Sequence, residues 1–224
     1  SAASDVYKRQ VSISGDAVII GARNDDDTGQ DSGSAYVFRY DGSAWTEEVK
    51  LLASDGGANA KFGASVSLVG HLAVIGATGD DDNGPDSGSA YIFRFNGAEW
   101  IQEAKLLPSD GAEGDRFGVS AAIRGDVALI GAPFDDDNGL ASGSAYVFRF
   151  DGSSWAEEVK LLPSDRAPYD LFGRSVSVFG DVAVIGAYGD DDNGTTSGSA
   201  YVFRYRGAGW VEMAKLYLPC MLAL

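Results

Sequence analysis

The sequence predicts an all-β protein, a β-propeller built of four-stranded antiparallel blades on a 55-residue repeat, with four blades present. Three observations lead there. Trp45, Trp100, Trp155 and Trp210 stand 55 residues apart, and Phe62-Gly63, Phe117-Gly118 and Phe172-Gly173 keep the same step. Each unit holds four short runs with strand alternation, bounded by Gly, Asn and Asp. No stretch shows the apolar spacing of about 3.6 that a helical solenoid needs, and a parallel β-helix would need a much shorter repeat. A unit this small cannot bury its apolar face alone and must stack on copies of itself.

The second unit shows each element in order. Ser65 to Val69 alternates small polar with apolar residues, which makes a half-buried strand; its Ser and Ala content suits the crowded centre where blades converge. Gly70-His71 then reads as a two-residue type II′ turn, with Gly15-Asp16, Gly125-Asp126 and Gly180-Asp181 in the sister units. His71 is therefore expected as an exposed turn residue. Leu72 to Gly76 is apolar on both faces and fits a strand covered on both sides. A polar stretch from Thr78 to Ser87 leads to a third strand, Ala90 to Phe95, with Tyr91, Phe93 and Phe95 on one face. Asn96-Gly97, like Asp41-Gly42 and Asp151-Gly152, is a hairpin signal because both residues tolerate positive φ. The fourth strand runs from Trp100 to Leu107. Strict alternation puts Trp100, Gln102, Ala104 and Leu106 on one face, and Ile101, Glu103, Lys105 and Leu107 on the other.

Four units of this kind span residues 11–61, 62–116, 117–171 and 172–216. Residues 1–10 share nothing with the repeats and are expected to be a non-native leader, and 217–224 form a non-repeat tail containing Cys220. One cysteine outside the repeats leaves no disulfide framework.

Composition narrows function. Asp and Glu number 33 against 17 Lys and Arg, a formal net charge of −16, which disfavours nucleic acid because phosphate binding needs clustered basic residues. No run approaches the ~20 apolar residues of a membrane-spanning helix. With a single histidine, no Ser/His/Asp or Cys/His set and no unique acid pair, the chain reads as non-enzymatic. A group repeated four times shapes a scaffold or a multivalent surface more readily than one active site. The least supported reading is a fragment of a polysaccharide-active enzyme using paired carboxylates.

The joint pattern of Phe-Gly, an apolar strand, Gly-Ala (Gly131-Ala132-Pro133 in full) and Gly-Ser-Ala-Tyr-Val-Phe resembles the FG-GAP repeat over residues 11–216. That family builds the propeller of integrin α subunits and of many bacterial secreted and surface proteins. The resemblance implies a binding or adhesion propeller, calcium-stabilised, at an extracellular or cell-surface location. It also implies that four units are part of a larger propeller, of up to seven blades, so that four form an open arc or a small closed ring; the arc is the expectation.

One departure bears on the metal. Integrin-type repeats carry an Asp-rich loop between Phe-Gly and Gly-Ala-Pro, but here only the twelve residues Ala64 to Ile75 lie between Phe62-Gly63 and Gly76-Ala77, and two strands use them. The acids come after Gly-Ala instead: Asp25, Asp26 and Asp27; Asp80, Asp81, Asp82 and Asn83; Asp135, Asp136, Asp137 and Asn138; Asp190, Asp191, Asp192 and Asn193. These are the candidate calcium ligands, since calcium takes six to eight oxygens on a loop turned by Gly. The spacing is not that of an EF-hand: with Gly84 sixth, the first and twelfth positions are Gly79 and Ala90. The alternative is a solvated loop whose Asp side chains accept backbone N–H bonds. The expected partner is a protein or carbohydrate on the acidic loop face. The Trp and Tyr content offers the carbohydrate alternative, which requires exposed Trp beside a pocket; Trp buried between blades counts against it. Arg39, Arg94, Arg149 and Arg204 are expected to pair with acids or stack on rings.

Overall fold

The structure, a computed structural model that describes residues 10–195 and 197–217, contains sixteen strands and no helix. Blade 1 holds β1 (Gln10–Ser14), β2 (Ala17–Ala22), β3 (Ser34–Tyr40) and β4 (Trp45–Leu51). Blade 2 holds β5 (Phe62–Val69), β6 (Leu72–Ala77), β7 (Ser89–Phe95) and β8 (Trp100–Leu106). Blade 3 holds β9 (Ser120–Arg124), β10 (Val127–Ala132), β11 (Ser144–Phe150) and β12 (Trp155–Leu161), and blade 4 β13 (Phe172–Phe179), β14 (Val182–Ala187), β15 (Ser199–Tyr205) and β16 (Trp210–Leu216). Each blade is an antiparallel meander in sequence order.

The first turn of each blade is as expected: Gly15, Gly70, Gly125 and Gly180 take φ of 61°, 59°, 62° and 60°, as the first position of a type II′ turn demands. The second hairpin differs. In blade 2 it has four loop residues, in which the Asn96 N–H donates to the Glu99 carbonyl and Asn96 Oδ1 accepts from the N–H groups of Ala98 and Glu99. Only Gly97 has positive φ there. The Asn side chain caps the loop, which removes any need for it to be left-handed.

A β-bulge overturns the strict alternation expected of the fourth strand. Phe93 pairs with Gln102 but Ile92 pairs with Ala104, so Glu103 is the extra residue. Beyond it the faces exchange, and Lys105 stands opposite Tyr91 rather than on the face of Ile101. The same shift occurs at Val37/Phe38, Val147/Phe148 and Val202/Phe203.

Each sheet carries apolar side chains on both faces, and three cores lie one between each pair of blades. Ile19, Val37 and Leu51 of blade 1 meet Phe62, Ile75 and Tyr91 of blade 2. Val74, Ile92 and Leu106 of blade 2 meet Phe117, Ile130 and Tyr146 of blade 3, and Leu129, Val147 and Leu161 meet Phe172, Ile185 and Tyr201 of blade 4. Phe62, Phe117 and Phe172 are fully buried, each edge-on to the Tyr of its own blade at 5.4–5.5 Å.

The two halves of the sequence signature meet in one joint. The Phe62 N–H donates to the Ser32 carbonyl of the preceding blade, and Gly63, at φ 89°, lies against Gly21 so closely that a Cβ on Gly21 would come 2.1 Å from the Gly63 carbonyl oxygen. Gly76 meets Gly118 and Gly131 meets Gly173 in the same way. Glycine is required on both sides because two backbones touch.

The four blades form an open arc, the expected outcome. Inner strands β1, β5, β9 and β13 pack in succession, yet Val11 and Ile13 on β1 remain 69% and 65% exposed. A Cβ on Gly186 would meet only Ser175 of its own blade.

Candidate functional site

The meander places the loop between the second and third strands at the same end of a blade as the connection to the next blade, and the two run together. The N–H groups of Asn59 and Lys61 donate to the carbonyls of Gln30 and Asp31; those of Gly114 and Arg116 to Pro85 and Asp86; those of Tyr169 and Leu171 to Leu140 and Ala141. The acidic loops therefore gather on one face.

Within each Asp triplet the three carboxylates have different fates. Asp25, Asp80, Asp135 and Asp190 are buried, whereas the second and third of each triplet are exposed. Each buried carboxylate accepts from a tyrosine hydroxyl on the third strand: Tyr36 at 2.7 Å, Tyr91 at 2.9 Å, Tyr146 at 2.8 Å and Tyr201 at 2.8 Å. A lysine from the fourth strand completes the cluster. Lys105 Nζ lies 2.7 Å from Asp55, 3.0 Å from Asp80 and 2.8 Å from Asp82. Lys160 repeats this with Asp110, Asp135 and Asp137, and Lys215 with Asp165, Asp190 and Asp192. Asp55, Asp110 and Asp165 come from the connection leaving the preceding blade and also bond Tyr91, Tyr146 and Tyr201. Each clasp thus joins two blades. In blade 1, Lys50 pairs with Asp25 and Asp27, the carboxylates of its own blade, among the described residues.

The electrostatics follow. Burial works against charge on these lysines, but their carboxylate neighbours win and hold all four ammonium groups above the usual lysine range. Burial likewise tends to raise Asp25, yet hydrogen bonds from Lys50, Tyr36 and Ser34 bring it down to about 2. Asp55, Asp110, Asp165 and Asp190 are lowered against the same opposition from burial, by Lys and Tyr. Asp115 runs the other way: burial, together with the charges of Asp135 and Asp136 and against the Ala112 N–H that it accepts, raises it to about 6.

These residues do not fit calcium. Asp165, Asp190 and Asp192 bring carboxylate oxygens within 4.8 Å of one another, but the Lys215 ammonium already sits among them. Of the remaining candidates, Asp26 and Asp81 each accept a backbone N–H, from Asp31 and Asp86. Asn83 turns its side-chain amide to the Pro108 carbonyl, and its own N–H donates to Ser87 Oγ. Asp136, Asp191 and Asn138 are exposed and Asn193 is half-buried, and neither Asp136 nor Asp191 belongs to a group of at least three His, Cys, Asp or Glu ligands among the described residues. A calcium ion needs six to eight oxygens, whereas each cluster offers carboxylates already bonded to a cation of the chain. The lysines, the tyrosines and Asp55, Asp110 and Asp165 were absent from the sequence-derived candidates. Their common 55-residue step was visible, but the bulge that turns each lysine onto the tyrosine face was not.

The other expectations resolve simply. Trp100, Trp155 and Trp210 pack against the cores between blades, and Trp45 is 46% exposed beside Val18, Ile20 and Phe38. Packing of Trp100, Trp155 and Trp210 against the cores counts against a sugar platform, whereas the exposure of Trp45 beside a shallow apolar pocket meets the condition set for one. Arg39, Arg94 and Arg149 pair with Glu48, Glu103 and Glu158 and lie over Phe95, Phe150 and Tyr205 of the next blade. Arg204 pairs with Asp181. His71 is exposed in its turn, stacked on Phe95.

Fold and loops together define a β-propeller with its acidic loops on one face. Residues 1–38, 45–93, 100–148 and 155–203 match the FG-GAP repeat family, and the chain belongs to it. Each of the last three matched segments begins on the fourth strand of one blade and ends in the third strand of the next. No curated protein matches the chain. Among solved structures it is similar to a crystal structure titled for the N-terminal domain of Nup159, with 12% identity and a TM-score of 0.47; the match covers 91% of this chain and 46% of that one, so the chain spans about half its length. No helix among the described residues is long and apolar enough to cross a membrane.

Proposed function

We propose that this propeller is a non-enzymatic binding module that presents its acidic loop face to a basic surface of a protein partner, in an extracellular or cell-surface adhesion setting of the kind its family serves. The supporting observation is the division of labour within each triplet. The first carboxylate is spent internally on tyrosine and lysine, while Asp26, Asp81, Asp136 and Asp191 remain exposed on one face with no lysine or arginine partner among the described residues. A row of like charges on one face raises the local concentration of a cationic partner and speeds its approach.

The test is binding of the chain to immobilised polylysine and to a neutral polysaccharide, in wild type and in a fourfold variant, Asp26→Asn, Asp81→Asn, Asp136→Asn and Asp191→Asn. Asn retains the carbonyl that accepts the Asp31 and Asp86 N–H groups, so the fold should persist. The expected result is salt-sensitive binding to polylysine that the variant loses by tenfold or more. A control variant that neutralises Glu47, Glu99, Asp126 and Asp181 should lose far less; equal loss in both would remove the assignment to this face. Binding to the neutral polysaccharide instead would move the function to the carbohydrate class.

A further inference from the structure

We propose that a cavity near the propeller axis is a binding site for a small multivalent oxyanion. The cavity, of about 330 Å³, lies at the end of the inner strands from which the acidic loops leave. All four blades contribute to it, and its lining includes Arg23, Thr78, Arg116, Phe134 and Arg174. At roughly 30 Å³ per water, this is room for about ten waters, enough for a phosphate or a tricarboxylate.

The repeat itself singles this place out. A residue that blade packing demands recurs every 55 positions, and here the recurrence fails. Arg23 aligns with Thr78, Pro133 and Tyr188; Arg116 with Lys61 and Leu171; Arg174 with Ala64 and Val119; Phe134 with Gly79 and Gly189. The scaffold is built without arginine at these positions, so its packing does not explain three arginines lining one cavity.

In a chain of net charge −16 many lysines and arginines are engaged with carboxylates, as at Lys50, Lys105, Lys160, Lys215, Arg39, Arg94, Arg149 and Arg204, although Arg124, Arg166 and Arg206 have no ion pair among the described residues. Arg116 and Arg174 form no ion pair among the described residues. Arg116 instead lies over the Phe134 ring, 5.1 Å from its centroid. That contact orients a guanidinium while leaving its N–H groups open. Planar guanidinium forks suit the paired oxygens of phosphate, sulfate and carboxylate. The surrounding acidic loops repel anions, so an anion held here is held by these side chains and not by the overall field.

The experiment is isothermal titration of the 224-residue chain with inorganic phosphate and, separately, with citrate, at constant ionic strength and millimolar concentrations. The comparison is a triple variant that carries sister-blade residues, Arg23→Thr, Arg116→Leu and Arg174→Val, whose folding is checked by its melting transition. The expected result is saturable binding of at least one anion in the wild type, weakened tenfold or more in the triple variant. Binding of phosphate alone or of citrate alone supports the site and assigns its ligand to the phosphoryl or the carboxylate class. No saturable binding of either anion, or equal affinity in both proteins, overturns the proposal. Should the triple variant melt without cooperativity, the exposed Arg174→Val change alone is decisive: a threefold or greater loss sustains the site and an unchanged affinity removes it.

Discussion

Blades 3 and 4 share the repeat signature but have very different surroundings. Val127 and Leu129 on β10 are buried between blades 3 and 4, whereas Val182 and Val184, their counterparts on β14, are half-buried and 36% exposed. Gly131 touches the Gly173 carbonyl of the next blade, but Gly186 has no such neighbour. The acidic loop of blade 3 is strapped by Tyr169 and Leu171; among the described residues no strap crosses the loop of blade 4. At the other end of the arc, the ion pairs of Lys50 among the described residues are with Asp25 and Asp27 of its own blade. Burial and charge compensation in this protein are properties of a junction between blades, not of a blade.

Breaking a junction should have the largest effect. Phe117→Ala and Phe172→Ala each remove a fully buried ring from a filled joint, and each is predicted to cost roughly 3–5 kcal/mol in denaturant unfolding. A cost below about 1 kcal/mol at either would show that the joints do not carry the arc.

The clasps come next. Lys105→Met keeps the aliphatic stem but leaves Asp55, Asp80 and Asp82 facing one another, with an expected loss of roughly 2–4 kcal/mol. Lys50→Met, which among the described residues exposes two carboxylates of its own blade instead of three from two blades, should cost about half as much. Because an ammonium already fills each cluster, the wild-type melting midpoint should be the same in millimolar calcium and in excess chelator, while Lys105→Met should gain a calcium-dependent rise. A calcium-dependent midpoint in the wild type would mean that the ion displaces lysine.

A smaller contrast isolates the neighbour alone. Gly131→Ala and Gly186→Ala both crowd a serine of their own blade, but only the first drives a methyl into the backbone of the next blade. Gly131→Ala should cost about 1–3 kcal/mol more than Gly186→Ala.

The smallest effect concerns pH. Asp115, raised to about 6, binds a proton more readily when folded. Its favourable contribution is therefore complete below its unfolded value and lost as pH rises through about 6. The sister position in blade 2 is Ala60, so charge is not needed there. Asp115→Asn should raise stability at pH 7 by on the order of 1–2 kcal/mol and leave it unchanged near pH 4. The lowered carboxylates act in the opposite sense: their contribution is present above about pH 4 and is lost as pH falls toward the value of about 2 reached by Asp25. The wild type should accordingly unfold in acid, which a pH series of melting curves would show.

Much of this protein was legible in its sequence. Period 55, alternation and turn residues determined the number, order and type of the strands, and Gly70 and its sisters marked their tight turns, because local sterics and two-sided burial act on short segments. The acidic triplets were visible as a group, but their roles were not. A bulge at Glu103 changes which face Lys105 occupies, and no residue type announces a bulge in a run such as Trp100 to Leu107. Asp55 and Lys105 lie fifty positions apart and become partners only when two blades stack. Tertiary structure alone decided that a lysine, not an open set of oxygens, stands among the carboxylates, that Trp45 is exposed while Trp100 is packed, and that three unrelated arginines line one cavity. In a stacked repeat each unit specifies its own strands, whereas the environment of its faces is supplied by whichever blade stands beside it.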